Sequence, residues 1–176
     1  MQFLPTRILD DWMRQRPLTH TVTDDLNSFT LLALHTLLKH LRTRNQAGPT
    51  EEELLALLSA QCPYELWMNR QQVRDVLKQI VEAADDSDSS EESVDSLAST
   101  CSVEFSPYVP ALHEMLRVND DHRWEMHELR AEGQLGRLDA DRQSVRRYYE
   151  EYLGALSRLS EAQGDMTSGG HDVGGS

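Results

Sequence analysis

The chain has 176 residues, 39% hydrophobic and 27% charged, with a formal net charge of −13. That length suits one domain, or one domain plus a small second unit. The negative total works against nucleic-acid backbones and anionic membrane surfaces, which repel it and offer no counterion release, so basic proteins are the easier partners. Cys62 and Cys101 are the only cysteines, too few for a disulfide framework. No apolar run approaches the ~18 residues of a membrane span. The opening MQFLPTRILDDWMRQRP carries two Asp and three Arg within its apolar pattern, so no leader-like run forms. The expectation is a soluble intracellular protein, nuclear or cytoplasmic, with reduced thiols.

The elements follow in chain order. From Pro5 to Gln15, Leu4, Ile8, Leu9, Trp12 and Met13 share one face, and Pro17 stops the helix. It is too short to stand alone and must pack on something. Thr23 to Arg44 is the strongest helical pattern. Thr23 suits a cap, Asp24 and Asp25 favour the positive end of the dipole, and Lys39, His40, Arg42 and Arg44 favour the negative end. Its expected core stripe is Leu26, Phe29, Thr30, Ala33, Leu34, Leu37, Leu38 and Leu41. In PTEEELLALLSAQCP, Thr50 and Glu53 have capping-box spacing and Pro63 marks the end. YELWM then reads as an aromatic connector, and Asn69 as the cap of a third helix with Val73, Val76, Leu77 and Ile80 inside.

Long helix, short helix, connector and helix over 23–84 is the order of a helix-turn-helix or winged-helix core. A winged helix needs a hairpin as well. STCSVEF offers one strand, and THTV is a candidate to pair with it.

Between Glu82 and Val103 lie seven acids and eight Ser/Thr without a Lys or Arg. Such a composition cannot offset the entropy of ordering, so a disordered loop or linker is expected over 85–104. Ser89, with Glu92 at +3, and Ser90, followed by two Glu, are phospho-acceptor candidates, and each phosphate adds roughly −1.5 to −2 charge. From Pro107 the chain turns helical again, with Leu112, Met115, Leu116, Trp124 and Leu129 in an imperfect period. Asp139 restarts a helix whose face is Val145, Tyr148, Tyr149, Tyr152, Leu156 and Leu159. Residues 163–176 read as a disordered Gly/Ser tail.

The fold class expected is therefore all-α, a bundle of about five helices. Its helical core covers 1–84 and a second helical unit, free to fold back on the first, covers 105–162.

Catalytic and metal-binding patterns are missing from the sequence. His122 and His127 lie about 140° apart around a helix axis and do not converge as zinc ligands must. The histidines, His35 and His113 among them, are expected at the surface or rim. There is no nucleophile elbow and no phosphate loop. No enzyme activity, metal or cofactor is expected.

Leu4-Pro5-Thr6-Arg7-Ile8-Leu9 resembles the opening of an F-box, which would imply recruitment of a ubiquitin-ligase core by the N-terminal helices. The Cys-x-x-Trp-like ending of that motif is missing, and LALHTLLKHL stands in its place, so no residue role is carried over. The leading expectation is a non-enzymatic adaptor or regulatory subunit of an intracellular complex that binds protein partners, basic ones being the candidates, with homo- or hetero-oligomers as a further option. Trp12, Tyr148, Tyr149 and Tyr152 are its aromatic anchors, shared between core and partner. The alternative is a helix-turn-helix DNA-binding regulator using Arg70, Arg74 and Lys78 of the 69–83 helix.

Overall fold

The computed structural model describes residues 3–18, 21–86, 101–131 and 142–168. The acidic strip, with Ser89 and Ser90, lies outside the described residues, as do Asp139 and the tail beyond Ser168. The described residues form six α-helices: α1 (Thr6–Met13), α2 (Val22–Thr43), α3 (Pro49–Leu58), α4 (Pro63–Asp86), α5 (Val109–Ala131) and α6 (Arg142–Ser168). A 3-10 turn, Ser106–Tyr108, leads into α5. Among the described residues there is no strand, and the fold is an all-α bundle.

Helix ends follow local chemistry. The cap of α2 is Thr21, not Thr23: its backbone N–H and its hydroxyl both donate to Asp24 Oδ2, at 2.7 and 2.9 Å. Helices α1 and α2 both end with a non-glycine residue in the left-handed region, Gln15 at φ 53° and Asn45 at φ 56°. In each, the next amide reaches back to close the last turn, Arg16 N–H to Asp11 O at 2.9 Å and Gln46 N–H to Leu41 O at 2.9 Å. Helix α3 starts earlier than the Thr50–Glu53 spacing suggests. Gly48 is the cap and Pro49 opens the helix, so Thr50 falls inside it.

The YELWM connector is helical. Pro63 does not end α3 but begins α4, which runs unbroken through Asn69. Asn69 therefore caps nothing, and its Nδ2 donates to Leu57 O at 3.0 Å instead. The STCSVEF stretch turns at Ser102 to Phe105 and joins the 3-10 turn.

The core is continuous across the two expected units. Leu31, Leu34, Leu38 and Leu41 of α2 meet Leu54 and Leu58 of α3 and Val73, Leu77 and Ile80 of α4. Phe105, Val109, Leu112 and Leu116 fill the same cluster. Met115 and Val118 of α5 pack with Tyr148, Tyr152 and Ala155 of α6 in an adjoining cluster, and Leu159 touches both. Helix α5 is the central element, lying against α2, α4 and α6.

The buried face of α2 is rotated from the expected stripe. Thr30, Leu31, Leu34, His35, Leu38 and Leu41 point inward, whereas Phe29 is 46% exposed. His35, expected at the surface, is buried beneath Phe3, ring centroids 5.2 Å apart. Burial, then Lys39, hold its pKa below the ordinary value, which keeps it neutral. Truncating Leu34 leaves a cavity in the centre, so Leu34→Ala is expected to cost about 3 kcal/mol in urea unfolding. Phe29→Ala should stay within about 0.5 kcal/mol of wild type. Equal losses at the two positions would contradict this orientation of α2.

Candidate functional site

Tyr148 and Tyr152 face inward, at 2% and 1% exposure. They belong to the core and are not accessible anchors. The Tyr152 hydroxyl lies 2.7 Å from Thr30 Oγ1 and 3.0 Å from Leu26 O. Thr30 Oγ1 in turn bonds Leu26 O at 2.9 Å and accepts Asn119 Nδ2 at 3.2 Å. Tyr148 donates to Glu125, stands edge-on to His122 at 4.8 Å, and carries the Arg147 guanidinium over its ring. His122 is thus a buried residue, not a rim one. Burial pushes both phenols up, Tyr152 to about 12. Trp12 is 43% exposed and Tyr149 is half-buried, so these two of the four remain accessible.

A buried polar seam attaches α1 to the bundle. Arg7 Nε donates to Asp24 Oδ1 at 3.1 Å, Nη2 bonds the same carboxylate, and Nη1 reaches Asp11 Oδ2 at 3.1 Å. All three side chains are under one-tenth exposed. Thr6 N–H donates to Asn27 Oδ1 at 2.8 Å. Arg70 enters from α4 and donates to Leu4 O. The seam borders a cavity of about 20 Å³ lined in part by Arg7, Asp24, Asn119 and His122, room for about one water and not for a substrate.

The cations of the expected nucleic-acid face are buried or paired within the chain. Arg70 is buried at 6% exposure, and desolvation lowers its pKa to about 10, leaving it charged at neutral pH. Arg74 is held by Asp120 of α5 at 2.6 Å and by Asp75. Lys78 is exposed beside Glu82, 3.5 Å away. In sequence, Arg70 and Arg74 looked like ordinary polar-face residues. The missed signal is Arg70 falling at i−3 from Val73, on the edge of the apolar stripe.

Glu51 is another buried polar residue that the sequence hid. It is 1% exposed, and its Oε1 accepts Ser102 N–H at 2.8 Å and Ser102 Oγ at 2.7 Å. Cys101 Sγ lies 3.7 Å from the same oxygen. Burial, then the Glu51 charge, push the Cys101 thiol up to about 12, so it stays protonated and is a poor nucleophile. The pair ties the chain after the acidic strip to the first turn of α3.

Among the described residues, no group of three or more His, Cys, Asp or Glu converges to hold a metal, and no helix is long and apolar enough to cross a membrane. His127 lies outside the described side chains. Exposed apolar side chains instead sit on regular helices: Trp12, Phe29, Leu32, Tyr64, Met68 and Leu153. No protein-family model, curated protein or solved structure matches the chain. The F-box-like opening therefore has no family match behind it, and its Ile8 and Leu9 are buried in the chain's own core.

Arg7→Met removes the counter-charge that bridges buried Asp24 to Asp11 and is expected to destabilise the fold by about 3 kcal/mol in urea unfolding. A change under about 0.5 kcal/mol would mean the seam carries no structural weight. Folding raises the Tyr152 phenol pKa from 10.0 to about 12. Its contribution is thus fully present below pH 10 and is lost as pH rises through about 12. Unfolding midpoints should fall over that window, and more shallowly in Tyr152→Phe. An unchanged slope in the variant would exclude Tyr152 as a source.

Proposed function

We propose that the protein is a non-enzymatic interaction module, an adaptor or regulatory subunit that receives a cationic protein partner. The supporting observation is how its charges and apolar surface are spent. Helix-borne cations are paired with carboxylates of the same chain, Arg14 with Asp10, Arg117 with Glu114 and Asp121, and Arg146 with Glu150. Thirty acids stand against seventeen Lys and Arg, so pairing leaves an excess of thirteen (30 − 17). Large apolar side chains meanwhile face solvent on helices, where a protein partner can cover them. Phosphate on Ser89 or Ser90 would deepen the same field.

The test is a titration of the full chain, at ~150 mM salt, with a basic amphipathic peptide and separately with duplex DNA. The peptide is expected to bind, more weakly as salt rises, and the duplex is not. DNA binding with a steep salt slope, abolished by Arg74→Glu together with Lys78→Glu, would replace this reading with the nucleic-acid one.

A further inference from the structure

Asn119 of α5 bonds Thr30 of α2, and Leu116 lines a cavity with Leu31, while His122 lines another with Asp24 and Asn27. Rising numbers on α5 thus meet falling numbers on α2, and the two helices are antiparallel. Glu125 meets Tyr148 while Met115 and Val118 meet Tyr152 and Ala155, so α6 is antiparallel to α5 in its turn. Helices α2 and α6 therefore run parallel, joined where Tyr152 meets Leu26 and Thr30.

On parallel neighbours, about 100° per residue turns the chain in the same sense on both helices. One step back from the contact on the first helix and one step forward from the contact on the second lead to the same side of the seam. One step back from Thr30 is Phe29, and one step forward from Tyr152 is Leu153. Their exposures are 46% and 56%. Leu32, 45% exposed, lies one turn on from Phe29. Leu26, Tyr149 and Leu156, all half-buried, form the floor between them. The step forward from Thr30 is Leu31, which is buried, so this rim is the outer side.

We propose that the outer α2/α6 rim is a docking groove for an amphipathic helix of net positive charge. This rests on the interaction reading above and gives it a place. A groove between two helices takes a third helix by ridges into grooves, with apolar anchors a turn apart. Charge selects the occupant. Arg146, two turns before Leu153 on the same side of α6, is bonded to Glu150, and exposed Asp25 lies one turn before Phe29. A second copy brings another −13 and is opposed by that charge.

The probe is a fluorescent Leu/Lys amphipathic peptide of about 18 residues, long enough to fold on contact. A scrambled peptide of the same composition is the control. The full chain should bind the amphipathic peptide at least about tenfold tighter than the scrambled one, and Phe29→Ser with Leu153→Ser should remove that advantage. Tyr64→Ser, on the exposed face of α4, should bind as wild type. A photo-crosslinker on the peptide should label α2 and α6 of the unmutated chain, which supports the groove even if the double variant fails to fold. Equal binding of the two peptides overturns the groove, as does full binding by the folded double variant. Loss through Trp12→Ser alone moves the dock to α1, overturning the groove while the interaction reading stands. Binding of neither peptide overturns both. A dimer in sedimentation that the double variant converts to monomer makes a second copy the occupant and overturns the cationic one.

Discussion

Three helices meet at one buried hydrogen-bonded node, and the arrangement of the molecule follows from it. Thr30 of α2, Asn119 of α5 and Tyr152 of α6 are 0%, 9% and 1% exposed, and around them the core is apolar. Two hydroxyl protons and one amide proton are shared among three oxygens, Leu26 O included. Slide or turn any one helix, and buried polar groups lose their partners at roughly 1–3 kcal/mol each. An apolar cluster alone tolerates such slippage, because packing is far less directional than a hydrogen bond. The node thus sets the register of α6 against α2, and with it which side chains are left on the outer rim.

Charge plays the same part for α1. Eight residues cannot hold a helix in water. Ile8 and Leu9 supply the burial that attaches it. The ionic contacts decide how it attaches: Arg7 and Asp11 turn together with α1, so any other rotation takes Arg7 from Asp24 and leaves that buried carboxylate without its counter-charge, at several kcal/mol. Asp24 serves twice, accepting from Thr21 at the start of α2 and from Arg7 across the interface. One carboxylate therefore couples the cap of the longer helix to the docking of the shorter one.

The same features explain what could be read from the sequence. Helix positions were legible because period, caps and stops act locally: the Asp-rich first turn of α2 and its end near Asn45 needed no tertiary information. The inward face of α2 was not. Leu31, Leu32, Leu34, Leu37 and Leu38 wrap the helix in apolar residues, and only the positions of α5 and α6 choose among them. Pro63 was ambiguous because a proline ends one helix and begins another equally well. The buried polar residues, Arg70, Glu51 and His122, were hidden for a deeper reason. Their residue types are mostly exposed, and burial comes from partners distant in sequence, Leu4 for Arg70 and Ser102 for Glu51. At the aromatic positions, core packing took Tyr148 and Tyr152 and left Tyr149 at the edge. The helical period separates these neighbours but does not say which side a partner sees.

Internal pairing also shapes the outer field. Each ion pair removes one charge of each sign, so the surplus of acids survives any number of salt bridges. Arg7 and Arg70, moreover, are enclosed and cannot be presented to an anionic ligand. What the chain offers is a net negative charge, to which the Lys- and Arg-free 82–103 strip contributes strongly, and exposed apolar side chains on helix faces. The two act at different stages of an encounter. Diffuse charge speeds the approach of a cationic partner and is weakened by salt within a Debye length. Apolar contacts at the proposed rim would act at contact distance, resist salt, and govern how long such a partner stays. Under the proposed interaction reading, a surface divided in this way would recruit by charge and discriminate by shape.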